Sequence, residues 1–195
     1  MYEPLPDWSH LSFHPVVLLP PHTPVLDLRR PPTAAPPTWS IGRYAEDRAI
    51  YTTPLFGGTR SVHMGIDLGG PAGVAVHAFW PGKVVYAGFN PAEGDYGHVL
   101  VTRHDIDGVE LFALFGHLSA DSLARSPAQR DFAAGEVLGW LGAPDENGGW
   151  PPHLHLQLAR SDPGTHDMPG AVAPADLAEA RKRYPDPRLV LGPLY

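Results

Sequence analysis

The stretch His153 to Leu158 alternates without a break, with His153, His155 and Gln157 on one side of an extended chain and Leu154, Leu156 and Leu158 on the other. The leucines suit a core, and the two imidazoles then stand side by side, about 6–7 Å apart along the backbone. Imidazoles placed together serve to bind a metal or to move protons. A second motif, HMGID, carries His63 and Asp67 four residues apart. Fully extended, that segment would hold their Cα atoms about 13 Å apart, too far for one metal. Gly65 between them permits a bend that brings them together. His117, in LFGHLS, closes an apolar run. Zinc catalysis requires three protein ligands and one open position, and two histidines with a carboxylate form an established ligand set. His63, Asp67 and one of His153 and His155 supply that set, which leaves the remaining histidines to handle protons. Each piece alone has an ordinary explanation, since surface strands carry histidines and H-x-x-x-D recurs by chance. The other seven histidines, at 10, 14, 22, 77, 98, 104 and 166, are assigned to that ordinary class.

The elements that must position these groups are short strands. The chain has 195 residues, 24 of them proline and 21 glycine, a density of punctuation that favours turns and strands over long helices. VAVHAFW, GKVVYAGF, HVLVTRHD, VELFALFGHL, GEVLGWLG and PHLHLQL all have the character of strands. The fold class expected is all-β, an antiparallel sheet with long loops GFNPAEGDYG and PDENGGW cupping the histidines. Residues 1–40, rich in proline, form an extended arm laid over the surface rather than built into the core. Residues 41–160 form the domain, and residues 161–195 a C-terminal extension with a short helix in APADLAEARKRY and a docked tail. A further short helix is expected after His117, within LSADSLARSPAQRDFA.

Charge and composition exclude several classes. Fourteen Lys and Arg against 21 Asp and Glu give a net charge of −7, which disfavours nucleic-acid binding and adhesion to anionic surfaces. With no cysteine, any metal must be held by histidine and carboxylate. No stretch approaches the roughly 20 apolar residues of a membrane span. The opening residues lack a basic n-region, and the apolar run VVLLP is too short for a signal core, so a cytoplasmic location is the expectation from the residues as written.

The motifs and their order resemble the lysostaphin-like (LytM-type) zinc metallopeptidases, which cut peptide cross-links or stems of bacterial peptidoglycan. RSVHMGIDLGGPAGVAVHA is similar to the opening of that family. GKVVYAG and DYGHVLVTRH are similar to its next two strands, and LFGHLS, GEVLGWLG and PPHLHLQL to its three closing motifs. The resemblance covers about Arg60 to Leu158. It implies a β-roll core built from a duplicated hybrid motif, with one Zn²⁺ held by His63, Asp67 and His155. It also implies that His117 and His153 are the catalytic histidines, assisting water activated by the metal in attack on a peptide bond of a peptide or peptidoglycan substrate. A monomer is expected, and the family's usual place of action is the cell envelope. Phe115 stands where the family often has tyrosine, Gln157 where it often has an acid, and Trp150 makes the preceding loop bulky. These departures bear on specificity more than on metal binding. Two alternatives stand beside this reading. One is a non-catalytic scaffold that binds a peptide or partner, against which the intact ligand set argues. The other is a cytosolic zinc amidohydrolase acting on another substrate. Phosphoryl-carrier chemistry on paired histidines is disfavoured by the HMGID pair.

Overall fold

Apolar residues recur with period two in the middle of the chain, and each such run pairs with its neighbours in one antiparallel sheet. The structure, a computed structural model, describes residues 3–195; the first two residues of the N-terminal arm lie outside the described residues. In chain order the strands are β1 (Ser40–Gly42), β2 (Val62–His63), β3 (Ile66–Gly69), β4 (Ala75–His77), β5 (Gly82–Asn90), β6 (Gly97–Ile106), β7 (Val109–Leu118), β8 (Asp131–Phe132), β9 (Val137–Trp140), β10 (His153–Ala159) and β11 (Ala171–Val172). Seven of them form a sheet in the order β1-β3-β10-β7-β6-β5-β8, with every neighbour antiparallel. Strands β4 and β9 pair separately, as do β2 and β11. The fold is therefore all-β and antiparallel, as the alternation predicts.

The central hairpin shows how local sequence sets this. β6 and β7 are joined by Asp107 and Gly108 alone, both at positive φ, which is the two-residue turn whose twist matches that of the strands. Along β7, Leu111, Ala113 and Phe115 face one buried cluster while Phe112 and Leu114 face another on the opposite side of the sheet. Leu154, Leu156 and Leu158 of β10 join the first cluster, which turns His153, His155 and Gln157 towards the second face.

Helices are few and short: α1 (Ala120–Arg125), α2 (Leu177–Arg183) and α3 (Arg188–Leu191). The first occupies only part of the segment expected to be helical after His117, because Pro127 follows closely. Among the described residues no helix is long and apolar enough to cross a membrane.

The arm departs from expectation. Its proline density predicts packing over the surface, yet Trp8, Val16 and Val17 are buried within the main core cluster. Backbone bonds from His14 to Phe79 and from His77 to Val16 stitch it beside β4, and Val25 and Leu26 then run along Ile41 of β1. Proline removes donors but leaves the side chains between free to anchor, and here they do. Residues 29–38 remain exposed.

Candidate metal centre

Sheet register places the first functional residues. β10 lies between β3 and β7, so His155 sits opposite Asp67 on one flank and Gly116 on the other, while His153 is opposite Gly69. His63 ends β2, and Met64 and Gly65 turn the chain from there into β3. Gly65 matters for a reason the sequence does not show. Its φ is not in the left-handed region. A Cβ on it would lie 2.5 Å from Cε1 of His155 and 2.7 Å from the Leu156 carbonyl oxygen, so the bare backbone is what admits the His155 ring.

The three donor atoms form a tight triangle. His63 Nε2 and His155 Nδ1 are 2.9 Å apart, and Asp67 Oδ1 lies 3.2 Å from the first and 3.3 Å from the second. The remaining ring nitrogens assign the tautomers. His63 Nδ1–H donates to the Arg43 carbonyl at 2.9 Å, which leaves Nε2 bare. Gln157 donates its amide to the Pro169 carbonyl and so turns Oε1 to His155, where it accepts from Nε2–H at 3.1 Å and leaves Nδ1 bare. Asp67 Oδ1 is buried without a hydrogen-bond partner. Three lone-pair atoms with no proton among them thus face one point. That arrangement is repulsive unless a cation occupies it, and bonds of about 2.0–2.1 Å to a tetrahedral ion would separate ligands by roughly 3.3 Å. The residues fit a divalent metal, and two imidazoles with a carboxylate are a donor set suited to zinc.

Electrostatics keep the donors in their binding forms. Burial, seconded by the nearby Arg48 guanidinium, pushes His63 down to about 3, so it is neutral at physiological pH. Burial alone would raise Asp67, but Arg48, His63 and His155 outweigh it and hold the carboxyl well below its usual range.

His117 and His153 stand beside this triangle, their rings 4.2 Å apart. At the end of β7 the register against β6 shifts, and His117 takes φ of 62°, a strained value for a side chain of its size. The resulting bulge re-aims its ring. Its Nδ1–H donates to the Asn147 carbonyl at 2.8 Å, and His153 Nδ1–H donates to that of Pro151 at 2.7 Å. Both therefore offer a bare Nε2, that of His153 3.8 Å from Asp67 Oδ1. Burial lowers both pKa values, with His153 and His155 adding to the effect at His117.

Three residues at this centre were not foreseen. Arg48, buried, donates from Nη1 to Asp67 Oδ2 at 2.6 Å and to the Tyr51 hydroxyl at 3.0 Å. Glu46, also buried, lies 3.4 Å from Arg48 Nε. Since arginine only donates, Tyr51 accepts from it and keeps its own O–H for another partner; burial holds that phenol protonated. All three lie in GRYAEDRAIY, where isolated charges near a turn ordinarily mark a solvated loop and carry no spacing signal.

The centre opens into a cleft of about 940 Å³. Asp67, His117, His153 and His155 line it, while His63 is not among its lining residues. Gly94 to Tyr96 and Trp150, from the two loops expected to cup the site, form parts of the wall, and the exposed segment Pro32–Thr38 of the arm forms another.

No curated protein matches the chain in sequence. Among solved structures, the catalytic domain of lysostaphin from Staphylococcus simulans is 21% identical over 72% of this chain and 92% of its own, with a TM-score of 0.49. The catalytic domain of the prophage-encoded protein EnpA from Enterococcus faecalis, solved as a point mutant, is 22% identical over 68% and 85%, with a TM-score of 0.46. A zinc-containing peptidase from Vibrio cholerae is 24% identical over 50% of this chain, which spans 27% of that one, with a TM-score of 0.41. Residues 61–167, more than half of the chain and holding His63, Asp67, His117, His153 and His155, match the model of peptidase family M23, and the chain belongs to that family.

Proposed function

We propose that this peptidase is a zinc-dependent metalloendopeptidase that hydrolyses peptide bonds in bacterial peptidoglycan. The observation that carries the reading is the triangle of three unprotonated donor atoms on His63, Asp67 and His155. Zinc held there would acidify water and polarise the scissile carbonyl. The protein's own groups do the rest. His117 and His153, neutral and with Nε2 bare, accept the proton of the attacking water and return one to the leaving nitrogen. The Tyr51 hydroxyl donates to the substrate carbonyl as negative charge develops on its oxygen. The cleft of about 940 Å³ beside the centre is large enough to take a segment of peptide. Membership of the family supports a peptide substrate, and the likeness of this chain's motifs to those of the lysostaphin-like peptidases supports peptidoglycan as the source.

The test is elemental analysis of the purified protein together with digestion of isolated peptidoglycan, with release of free amino groups as the readout. About one zinc per chain and new amino groups are expected. Stoichiometric zinc with no cleavage of any peptide would leave a binding scaffold, and cleavage of other amides alone would point to a different substrate.

A further inference from the structure

We propose that Arg48 is a positioning residue that holds one oxygen of Asp67, so that this carboxylate offers a metal its other oxygen alone. The proposal rests on the metal-centre reading above. The two oxygens of Asp67 sit in different surroundings. Oδ2 accepts a charge-assisted bond from Arg48 Nη1 at 2.6 Å, whereas Oδ1 has no hydrogen bond and faces His63 and His155.

Arg48 is itself held through both terminal nitrogens, while its Nε makes no hydrogen bond. Its Nη1 also donates to Tyr51, and its Nη2 donates to the Arg43 carbonyl at 3.4 Å. Its Nε is paired in charge with Glu46 Oε2 at 3.4 Å. Glu46 in turn accepts the Leu28 N–H on Oε1 at 3.3 Å, which ties the clamp to the N-terminal arm. The strand beneath is shaped to match. Gly42 of β1 pairs with Asp67, and a Cβ there would lie 2.6 Å from Arg48 Nη2 and 2.7 Å from Asp67 Oδ2. Any side chain at residue 42 would enter the contact between guanidinium and carboxylate.

The consequence is one of ligand count. A free carboxylate can give a divalent ion one oxygen or two. Two from Asp67, with the two histidines, would fill the position that a catalytic site keeps open. The clamp removes the second option, and a guanidinium suits this because it never loses its charge and presents donors in a fixed plane.

Cobalt(II) substituted for zinc reports the count, since four-coordinate cobalt absorbs strongly in the visible and higher coordination weakens the bands severalfold. The full chain is stripped with a chelator, loaded with cobalt and checked for fold by circular dichroism. Wild type is expected to show strong bands, and Arg48→Met bands severalfold weaker at full cobalt occupancy. Unchanged bands in the variant overturn the proposal. So does a folded variant that binds no cobalt, because freeing Oδ2 adds a donor rather than removing one. A second measurement needs no variant and serves if Arg48→Met fails to fold. It is the infrared splitting of the carboxylate stretches in wild type carrying ¹³C-labelled aspartate, taken as the difference between loaded and stripped protein. A splitting that widens on loading marks one-oxygen binding and supports the clamp, and one that narrows refutes it. Wild type that takes up no cobalt refutes the metal centre itself, a different failure from unchanged bands in a variant that binds.

Discussion

His153 and His155 project from the same face of β10, yet their partners leave them in opposite tautomers. Gln157 Oε1 accepts a hydrogen bond from His155 Nε2–H and so leaves Nδ1 bare towards His63 and Asp67. The Pro151 carbonyl accepts a hydrogen bond from His153 Nδ1–H and so leaves Nε2 bare towards the cleft. Under the proposed function the first ring serves as a ligand and its neighbour as a base. Their alanine variants should accordingly fail in different ways. His155→Ala is expected to lose most bound zinc, because two protein ligands hold it poorly. His153→Ala is expected to keep near-stoichiometric zinc and lose turnover by roughly 10²–10⁴-fold, the usual worth of a proton-transferring group. Both leave Leu154, Leu156 and Leu158 in the core, so both should fold. Metal content by mass spectrometry and peptide hydrolysis on the same samples separate the cases; equal zinc loss would make His153 a ligand as well. Gln157 orients His155 through a neutral oxygen.

At the scale of elements, the corner between β2 and β3 decides whether the donors meet. Gly65→Ala would place a methyl group against both the His155 ring and the rigid Leu156 carbonyl, so the ring must move. Zinc affinity is expected to fall by at least about tenfold, as for other residues that orient ligands, with a stability cost of about 1–3 kcal/mol for the overpacking. Competition with a chromophoric chelator measures the first and a urea melt the second; wild-type affinity would mean that the corner is more compliant than its contacts indicate. This corner also shows where sequence reasoning stops. The glycine is visible in HMGID, and its reason is not, because the His155 ring that it admits lies 90 residues away. The long strands β5, β6, β7 and β10 were legible from their alternation, since burial on a sheet imposes period two. β1, β2, β8 and β11 span two or three residues each, too few for a period to show. Arg48, Glu46 and Tyr51 were illegible for a related reason. Their roles exist only once residues 43–51 fold back on β2 and β3, through bonds such as His63 N–H to the Glu46 carbonyl.

At the scale of the whole molecule, the N-terminal arm is part of the larger of the two core clusters, on the face of the sheet that buries Leu154, Leu156 and Leu158. Fully burying Trp8, Val16 and Val17 is worth about 1.5–3 kcal/mol each as an upper estimate, a sum comparable to the total stability of a typical domain. Truncation to Thr38 is therefore expected to leave a protein without a cooperative melt, and Trp8→Ala alone to cost about 3–5 kcal/mol; a truncated chain melting like wild type would show the arm to be dispensable. The same core carries a titratable group far from the metal. His104 is buried, packs against Phe79 with ring centroids 4.3 Å apart, donates Nδ1–H to the Pro81 carbonyl and accepts from the Thr102 hydroxyl at 2.7 Å. Burial pushes its pKa down to about 4 from an ordinary 6.5. The sign follows from proton counting. Below pH 6.5 the unfolded chain binds a proton here that the folded chain refuses until about pH 4, so stability is complete above 6.5 and falls as the pH drops. Across that window the loss approaches about 3 kcal/mol, at 1.36 kcal/mol per pH unit. His104→Gln, which retains a donor and an acceptor, is expected to lower stability at pH 7 yet make its decline between pH 6.5 and 4 shallower by nearly one proton. Urea melts of the metal-free protein at several pH values read that slope directly, and equal slopes in wild type and variant would show that burial does not lower the pKa of His104.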